Sequence, residues 1–399
     1  QAEPRMRKKK GGGGTPGSPI PGSTLVITTK KLSTKNIADY NKGRRPPEPR
    51  EPEYELVKVL GEGGMGIVFT AKQRSIDRDV ALKMLKPKTA RDKDQRAKFL
   101  SEAVVTGELD HPNIVPIYDV GASPDQALFY SMKKVQGTPW LDVIREKSTS
   151  ENLDILMRTA DAVAFAHSRG VIHRDLKPEN TMLGDFGEVL VMDWGLAYST
   201  EEFSKSESIT SSTSMGGTPA YMAPEMATGP ISKIGPQSDV YLLGAMLFEI
   251  VTGRPPHAGK NAMKCLMAAA RNQIREPNEE ACTKNDPTGE LLEIAMKAME
   301  TEIPDRYQTV QEMQVAIREY QSHRESVTLS SRAASDLKKA RETQDYQDFS
   351  KAVFAYEEAY AMWDGNDAAI AGMIEAKFAY ASVAESKGDY DLGLSLLDK

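Results

Sequence analysis

The chain has 399 residues, is 40% hydrophobic and 27% charged, and carries a formal net charge of −6. That leaves room for two or three domains and excludes collagen-like or wholly disordered proteins. The charge is uneven. Residues 1–50 hold 12 Lys and Arg against three acids (Glu3, Asp39, Glu48), so the remainder stands at −15 and gives no argument for nucleic acid as the main partner.

Two cysteines, Cys265 and Cys282, are too few for a disulfide framework and show no metal spacing, which predicts a reducing, cytoplasmic setting. No run reaches the 18 or so apolar residues of a membrane span. The richest, "VYLLGAMLFEIV" at 240–251, contains Glu249 and reads as a buried core helix. The chain opens on Gln1 and stops at Lys399 within a helical pattern, and the expectation is a fragment of a longer protein.

Residues 1–52 are basic and rich in Gly, Pro and Ser ("KKKGGGGTPGSPIPGS", "RRPPEPREPE"), a composition that predicts disorder. Within it "TLVITT" at 24–29 can form a short strand if it finds a sheet edge. From Tyr54 short β-branched and aromatic runs follow: "YELVKVLG", "GIVFTAKQ", "RDVALKML", "IVPIYDVG" and "ALFYSMKK". One helix, about 93–109, interrupts them. From about 138 the chain turns helical, at 151–169, 236–253, 260–272, 289–299 and 308–321. A small β-rich lobe followed by a larger helical lobe is an α+β, bilobal architecture, with lobes expected at 53–133 and 134–323.

Beyond 330 a helical segment to 399 is expected. Phe349, Val353, Tyr356, Tyr360 and Trp363 fall at helical spacing, "DGN" at 364–366 breaks the helix, and a second helix runs to about 386. Ala340, Asp345 and Tyr346 recur as Ala384, Asp389 and Tyr390, an offset of 44. This resembles helix-pair repeats of the tetratricopeptide kind, with a longer period than usual, and would offer a surface for a protein partner. The alternative is an unrelated helical hairpin packed on the preceding domain.

The chemistry sits between 61 and 225. "GEGGMGIV" (61–68) lies between two strand patterns, where glycines let backbone N–H groups approach phosphate oxygens. Lys83, in "VALK", is costly on a strand of apolar neighbours unless paired, and Glu102 on the following helix is the expected partner. "VIHRDLKPEN" (171–180) crowds His173, Arg174, Asp175, Lys177 and Asn180 together. "GTPAYMAPE" (217–225), Asp239 and Arg306 follow in order.

These motifs, matched in order over about 54–322, resemble the eukaryotic-like protein kinases, most closely their bacterial serine/threonine branch. The resemblance implies a bilobal fold with ATP in the cleft and protein Ser/Thr hydroxyls as acceptors; Lys177 is the serine/threonine spelling. It implies nucleotide contacts from Gly61, Glu62, Gly63, Gly64, Met65, Gly66 and Val68, from Ala81 and Lys83, and from Met132 as gatekeeper with Lys133 to Val135 as hinge. Asp175 would accept the hydroxyl proton, and Asn180 with a second aspartate would hold Mg²⁺ or Mn²⁺. The competing reading is a pseudokinase, an ATP-binding scaffold acting through its helical tail, although no catalytic residue of the motif set is missing.

Two triplets compete for the second aspartate: Asp185-Phe186-Gly187 and Asp193-Trp194-Gly195. "TML" (181–183) and "EVLVM" (188–192) are strand-like and flank "GDFG", which has turn composition. A hairpin there brings its open ends to about 5 Å, with Asn180 at one and Asp193 at the other. Asp185 then sits at the tip, on the order of 14 Å away, so Asp193 is the predicted metal ligand. Trp194 stands where the family usually has Phe and must pack a larger ring beneath the Glu102 helix. His173 is expected as a structural anchor, Glu225 and Arg306 as a buried ion pair, and Asp239 as an anchor of the catalytic-loop backbone.

Arg174, beside Asp175, predicts an anion partner. The hydroxyl-rich "SITSSTS" at 208–214 could supply one through autophosphorylation of Thr210, Ser212, Thr213 or Ser214, ordering the substrate platform around Thr218.

Overall fold

The computed structural model describes residues 53–64, 66–86, 89–123, 127–199 and 216–397, together with a two-residue strand at Thr24–Leu25. Met65, the four candidate phosphosites at 210–214 and the rest of 1–52 lie outside the described residues.

Strands β1 (Thr24–Leu25), β2 (Tyr54–Glu62), β3 (Gly66–Gln73), β4 (Arg78–Leu85), β5 (Ile117–Ala122) and β6 (Leu128–Lys133) form one antiparallel sheet in the order β1-β2-β3-β4-β6-β5. The "TLVITT" run does find a sheet edge, Leu25 pairing with Tyr54. Period-two alternation divides β4 between two cores. Val80, Leu82 and Met84 join Tyr54, Phe69 and Phe129 on one face. On the other, Ala81 and Leu85 pack with Phe99 and Ala103 of helix α1 (Lys93–Glu108), whose N-cap Asp92 accepts from the backbone of Asp94 and Gln95. Lys83 sits between Ala81 and Leu85 on this second face and pairs in register with Tyr130 of β6.

The larger lobe begins with β7 (Gly137–Pro139), the single turn α2 (Trp140–Val143) and α3 (Thr149–Ser168). Ser148 and Glu151 close a capping box at the start of α3. Next come β8 (Val171–Ile172), β9 (Thr181–Gly184), β10 (Val189–Val191) and β11 (Tyr198–Ser199). They are followed by α4 (Pro224–Thr228), α5 (Pro236–Thr252), α6 (Ala262–Ala270), α7 (Glu279–Asn285) and α8 (Glu290–Ala298). Helix α5 is buried from Ser238 to Thr252, the all-round burial expected of the apolar run at 240–251. Its Glu249 is satisfied by the Tyr221 hydroxyl at 2.6 Å, as a carboxylate in a dry core must be.

The helix expected at 308–321 is much longer. Helix α9 (Val310–Thr343) runs 34 residues without a break, because residues 322–330 contain no Gly or Pro and Ser322, Ser326 and Ser330 face inward. Ser322 and Ser326 donate to the Met362 and Ala359 carbonyls, and Asn366 donates to the Ser326 and Ser330 hydroxyls. Helices α10 (Tyr346–Met362), α11 (Asp367–Ser386) and α12 (Tyr390–Leu397) complete an all-helical tail. Its core of Leu337, Phe349, Tyr356 and Tyr380 is separate from that of the large lobe. The offset of 44 has a structural expression: Asp345 accepts from the Gln347 backbone at the start of α10, and Asp389 does the same from Leu392 at the start of α12.

Candidate active site

Between the sheet and the large lobe lies a cleft of about 270 Å³, lined by Gly63, Gly64, Gly66, Val68, Lys83, Glu102, Tyr130, Met132, Met192, Asp193 and Trp194 among others. The turn between β2 and β3 forms its roof, closed by a hydrogen bond from Gly63 N to the Gly66 carbonyl at 2.9 Å. The glycines there differ in what they do. A Cβ on Gly66 would lie 2.7 Å from the Met84 carbonyl oxygen, so that residue is fixed by the passage of β4. Gly64, on the cleft, has nothing within 4 Å of its own. That open space suits a close backbone approach to an anion.

On the floor of the sheet, Lys83 Nζ reaches Glu102 Oε1 at 2.6 Å and Asp193 Oδ1 at 3.4 Å. Burial works against the lysine charge, but Glu102 and Asp193 outweigh it and hold its pKa above the ordinary value. Burial also pushes the Glu102 carboxyl up, and Lys83 and the Tyr130 hydroxyl only partly offset this. Asp193 is half exposed toward the cleft; Lys83 outweighs its desolvation and holds its pKa low.

The second cluster surrounds Asp175. The Thr218 hydroxyl donates to Asp175 Oδ1 at 2.9 Å and accepts from Lys177 Nζ at 2.9 Å. Asn180 Nδ2 donates to the Asp175 carbonyl at 2.8 Å and to its Oδ2 at 3.2 Å. Burial opposes the Lys177 charge, yet Asp175 and Glu179 raise its pKa above the usual lysine value.

One hairpin joins the two clusters. Strands β9 and β10 pair antiparallel with Thr181 opposite Val191, and Met192 N donates to the Asn180 carbonyl at 2.8 Å. Asp193 is therefore one residue beyond the Asn180 rung, in a left-handed conformation (φ 57°) that Asp tolerates. Asp185 and an almost fully exposed Phe186 occupy the turn, which Gly187 completes at φ 85°. The hairpin read from the sequence is present, with the two triplets at its opposite ends.

The supports are equally specific. Asp239 accepts from the backbone of His173 and Arg174, each at 2.8 Å, and meets His167 Nε2 at 2.8 Å. Its burial is outweighed by these partners, and its pKa is lowered. His173 accepts from Asp175 N on Nδ1 and donates from Nε2 to the Met192 carbonyl, so it links both clusters. Trp194 is buried against the His173 ring, centroids 4.5 Å apart, in the same core as Val105 of α1. Arg306 makes a two-pronged contact with Glu225, at 2.8 and 2.9 Å.

Some expected contacts stand outside the cleft lining. Gly61 and Glu62 belong to the β2 ladder, and Glu62 pairs with Lys86. Ala81 is packed opposite Met132 in the inner core. Lys133 turns to Glu188, and Val135 lies just past the end of β6, half-buried. Conversely, Tyr130 and His167 carry contacts that the sequence reading did not assign. Tyr130 was recoverable: with Met132 facing the cleft, period two puts Tyr130 there as well.

The glycine turn and the lysine–carboxylate pair thus line one cleft, and a single hairpin ties that cleft to the aspartate loop. The protein kinase domain family model matches residues 54–326, and the chain belongs to that family. It is similar to the serine/threonine-protein kinase PknD of Protochlamydia amoebophila, 35% identical over 288 residues, covering 65% of this chain and 29% of that protein. A probable serine/threonine-protein kinase of Corynebacterium efficiens is 36% identical over 271 residues, covering 65% and 40%. The serine/threonine-protein kinase PknB of Mycolicibacterium smegmatis is 35% identical over 274 residues, covering 67% and 43%. The chain thus spans less than half the length of these relatives.

Proposed function

We propose that this chain transfers the γ-phosphoryl group of ATP to Ser and Thr hydroxyls of other proteins, with Mg²⁺ or Mn²⁺, in the cytoplasm. The observation that carries the reading is the junction of two charge clusters at the open end of one hairpin: Asn180 with Asp175 beside one strand, Asp193 with Lys83 beside the other. In this reading the glycine turn covers the phosphates and Lys83, held by Glu102, contacts them. The gatekeeper Met132 bounds the adenine end.

Asp175 takes the proton of the acceptor hydroxyl as its oxygen attacks the γ-phosphorus and the bond to the ADP oxygen breaks. Lys177 and Thr218 keep the Asp175 carboxylate oriented while the acceptor enters. Among the described residues no three acidic, His or Cys side chains gather into a closed metal cage. One carboxylate and one amide oxygen suit Mg²⁺, a hard cation that prefers oxygen donors and few protein ligands. Asp193 and Asn180 would hold it, and when bound it neutralises charge developing on the phosphate oxygens.

The relatives' serine/threonine names and Lys177 favour hydroxyl acceptors over phenols. The scaffold-only reading loses its support, because Lys83, Asp175, Asn180 and Asp193 are all in bonded positions. Phosphorylation at Thr210, Ser212, Thr213 or Ser214 is the proposed control, and the tail the proposed protein-binding surface, with Phe354, Phe378 and Tyr390 exposed on it. Incubating the chain with labelled ATP and a basic protein tests the reading. Label should enter the protein with wild type and not with Asp175→Ala; equal transfer by both would end it.

A further inference from the structure

Glu102 holds Lys83 through a single oxygen. Its Oε1 takes both the Lys83 ammonium at 2.6 Å and the Tyr130 hydroxyl at 2.7 Å. Its Oε2 is buried without a hydrogen-bond partner. Among the described residues only two donors therefore compensate a carboxylate with 2% exposure, and one of them, Lys83, is shared with Asp193. A charge this dry depends heavily on each remaining bond.

Tyr130 is built to be the fixed donor. It stands on β6 directly across from Lys83, so its position is set by the sheet and not by α1. Its ring packs on Phe99 of α1, centroids 5.1 Å apart, and its hydroxyl reaches Glu102 three residues further along the same helix. It thus fastens α1 to the sheet at two points. Burial, reinforced by Glu102, pushes the phenol well above its ordinary pKa, so it keeps its proton and donates throughout.

We propose that Tyr130 is a positioning residue for the nucleotide. It holds the Glu102 carboxylate against Lys83, so that the lysine stays aimed into the cleft and is not drawn onto Asp193. This rests on the kinase reading above. Without the hydroxyl, Glu102 would have Lys83 alone, and the ammonium would divide its time between two carboxylates. Loss of one hydrogen bond to a charged group corresponds to about a tenfold change in an equilibrium.

The test is Tyr130→Phe, alone and combined with Glu102→Gln, followed by binding of Mg-ADP, KM for ATP, KM for a basic protein substrate and the thermal midpoint. The expected result is nucleotide binding and KM for ATP each weakened about tenfold, with KM for the protein substrate unchanged. In the Glu102→Gln background the second substitution should add nothing. Nucleotide binding within twofold of wild type overturns the proposal. So does an equal penalty in the Gln background, or a rise in both KM values with a collapsed midpoint, which is the mark of a packing role. A wild-type chain that transfers no phosphate, yet loses nucleotide affinity on Tyr130→Phe only when Glu102 is intact, sinks the kinase reading and upholds the Tyr130 assignment.

Discussion

Replacing Asp193 by Asn should abolish phosphoryl transfer, whereas Asp185→Asn should leave it intact. The two substitutions are chemically identical, lie eight residues apart in sequence and fall at opposite ends of one hairpin. At the open end, the amide of Asp193→Asn would keep the backbone turn and leave the bond from Met192 N to Asn180 in place, but lose the charge facing Lys83 at 3.4 Å. Losing a carboxylate that carries a metal at a transferring phosphate costs several kcal/mol, and about 4 kcal/mol is roughly a thousandfold in rate. At the tip, the exposed Asp185 holds its place through the backbone, its N–H donating to the Gln136 carbonyl at 2.9 Å, and Asn preserves that bond. The expected change in stability is within about 0.5 kcal/mol, below what a rate assay resolves. Initial rates of label transfer from γ-labelled ATP, with thermal midpoints to show that both variants fold, decide the matter. Equal rates, or the reverse order, would refute the assignment.

Three further outcomes are expected. Gly66→Ala forces a Cβ to 2.7 Å from the Met84 carbonyl, backbone that cannot swing away. The β3–β4 ladder must shift, lowering stability by about 1–3 kcal/mol and the thermal midpoint with it. Glu225 and Asp239 both have pKa values lowered in the fold, where Arg306 and His167 outweigh their burial. The unfolded chain therefore binds more protons in the acid range, and their stabilisation is present above the ordinary values, about 4.3 for Glu and about 3.9 for Asp, and is lost as pH falls through the lowered folded ones; denaturant midpoints at stepped pH should show this decline. Mass spectrometry after incubation with Mg-ATP should find phosphate within 208–214, and alanine at Thr210, Ser212, Thr213 and Ser214 together should lower the transfer rate.

The β9–β10 hairpin was legible in the sequence because its signals are local: apolar runs of strand composition about a Gly-containing turn. So was the Lys83–Glu102 pair, since a buried lysine demands a partner and few acids stand within reach. Tyr130, Thr218 and His167 were less legible for the opposite reason. Their partners are Glu102, Asp175 and Asp239, 28, 43 and 72 residues away, and a hydroxyl or imidazole does not show in sequence which distant carboxylate it serves. The length of α9 was missed because its middle is polar. Ser322, Ser326 and Ser330 weaken the apolar stripe, and only the Asn366 side chain and the carbonyls at the end of α10 show what that serine face is for.

Helix α9 also sets a phase. Its 34 residues span about 51 Å at 1.5 Å per residue, beginning in the kinase lobe and ending in the tail. The loop after α10 returns to that lobe, where Trp363 stacks on His323 at 4.5 Å and His323 meets Glu290 of α8. The angle at which the tail faces the cleft is therefore counted in residues. One residue inserted near Val327 would turn everything beyond it by about 100° and carry Asn366 away from Ser326, while about two full turns, roughly seven residues, would restore the heading at a greater reach. Tail and cleft are geared together, and the bearing of one on the other is written in the length of a single helix.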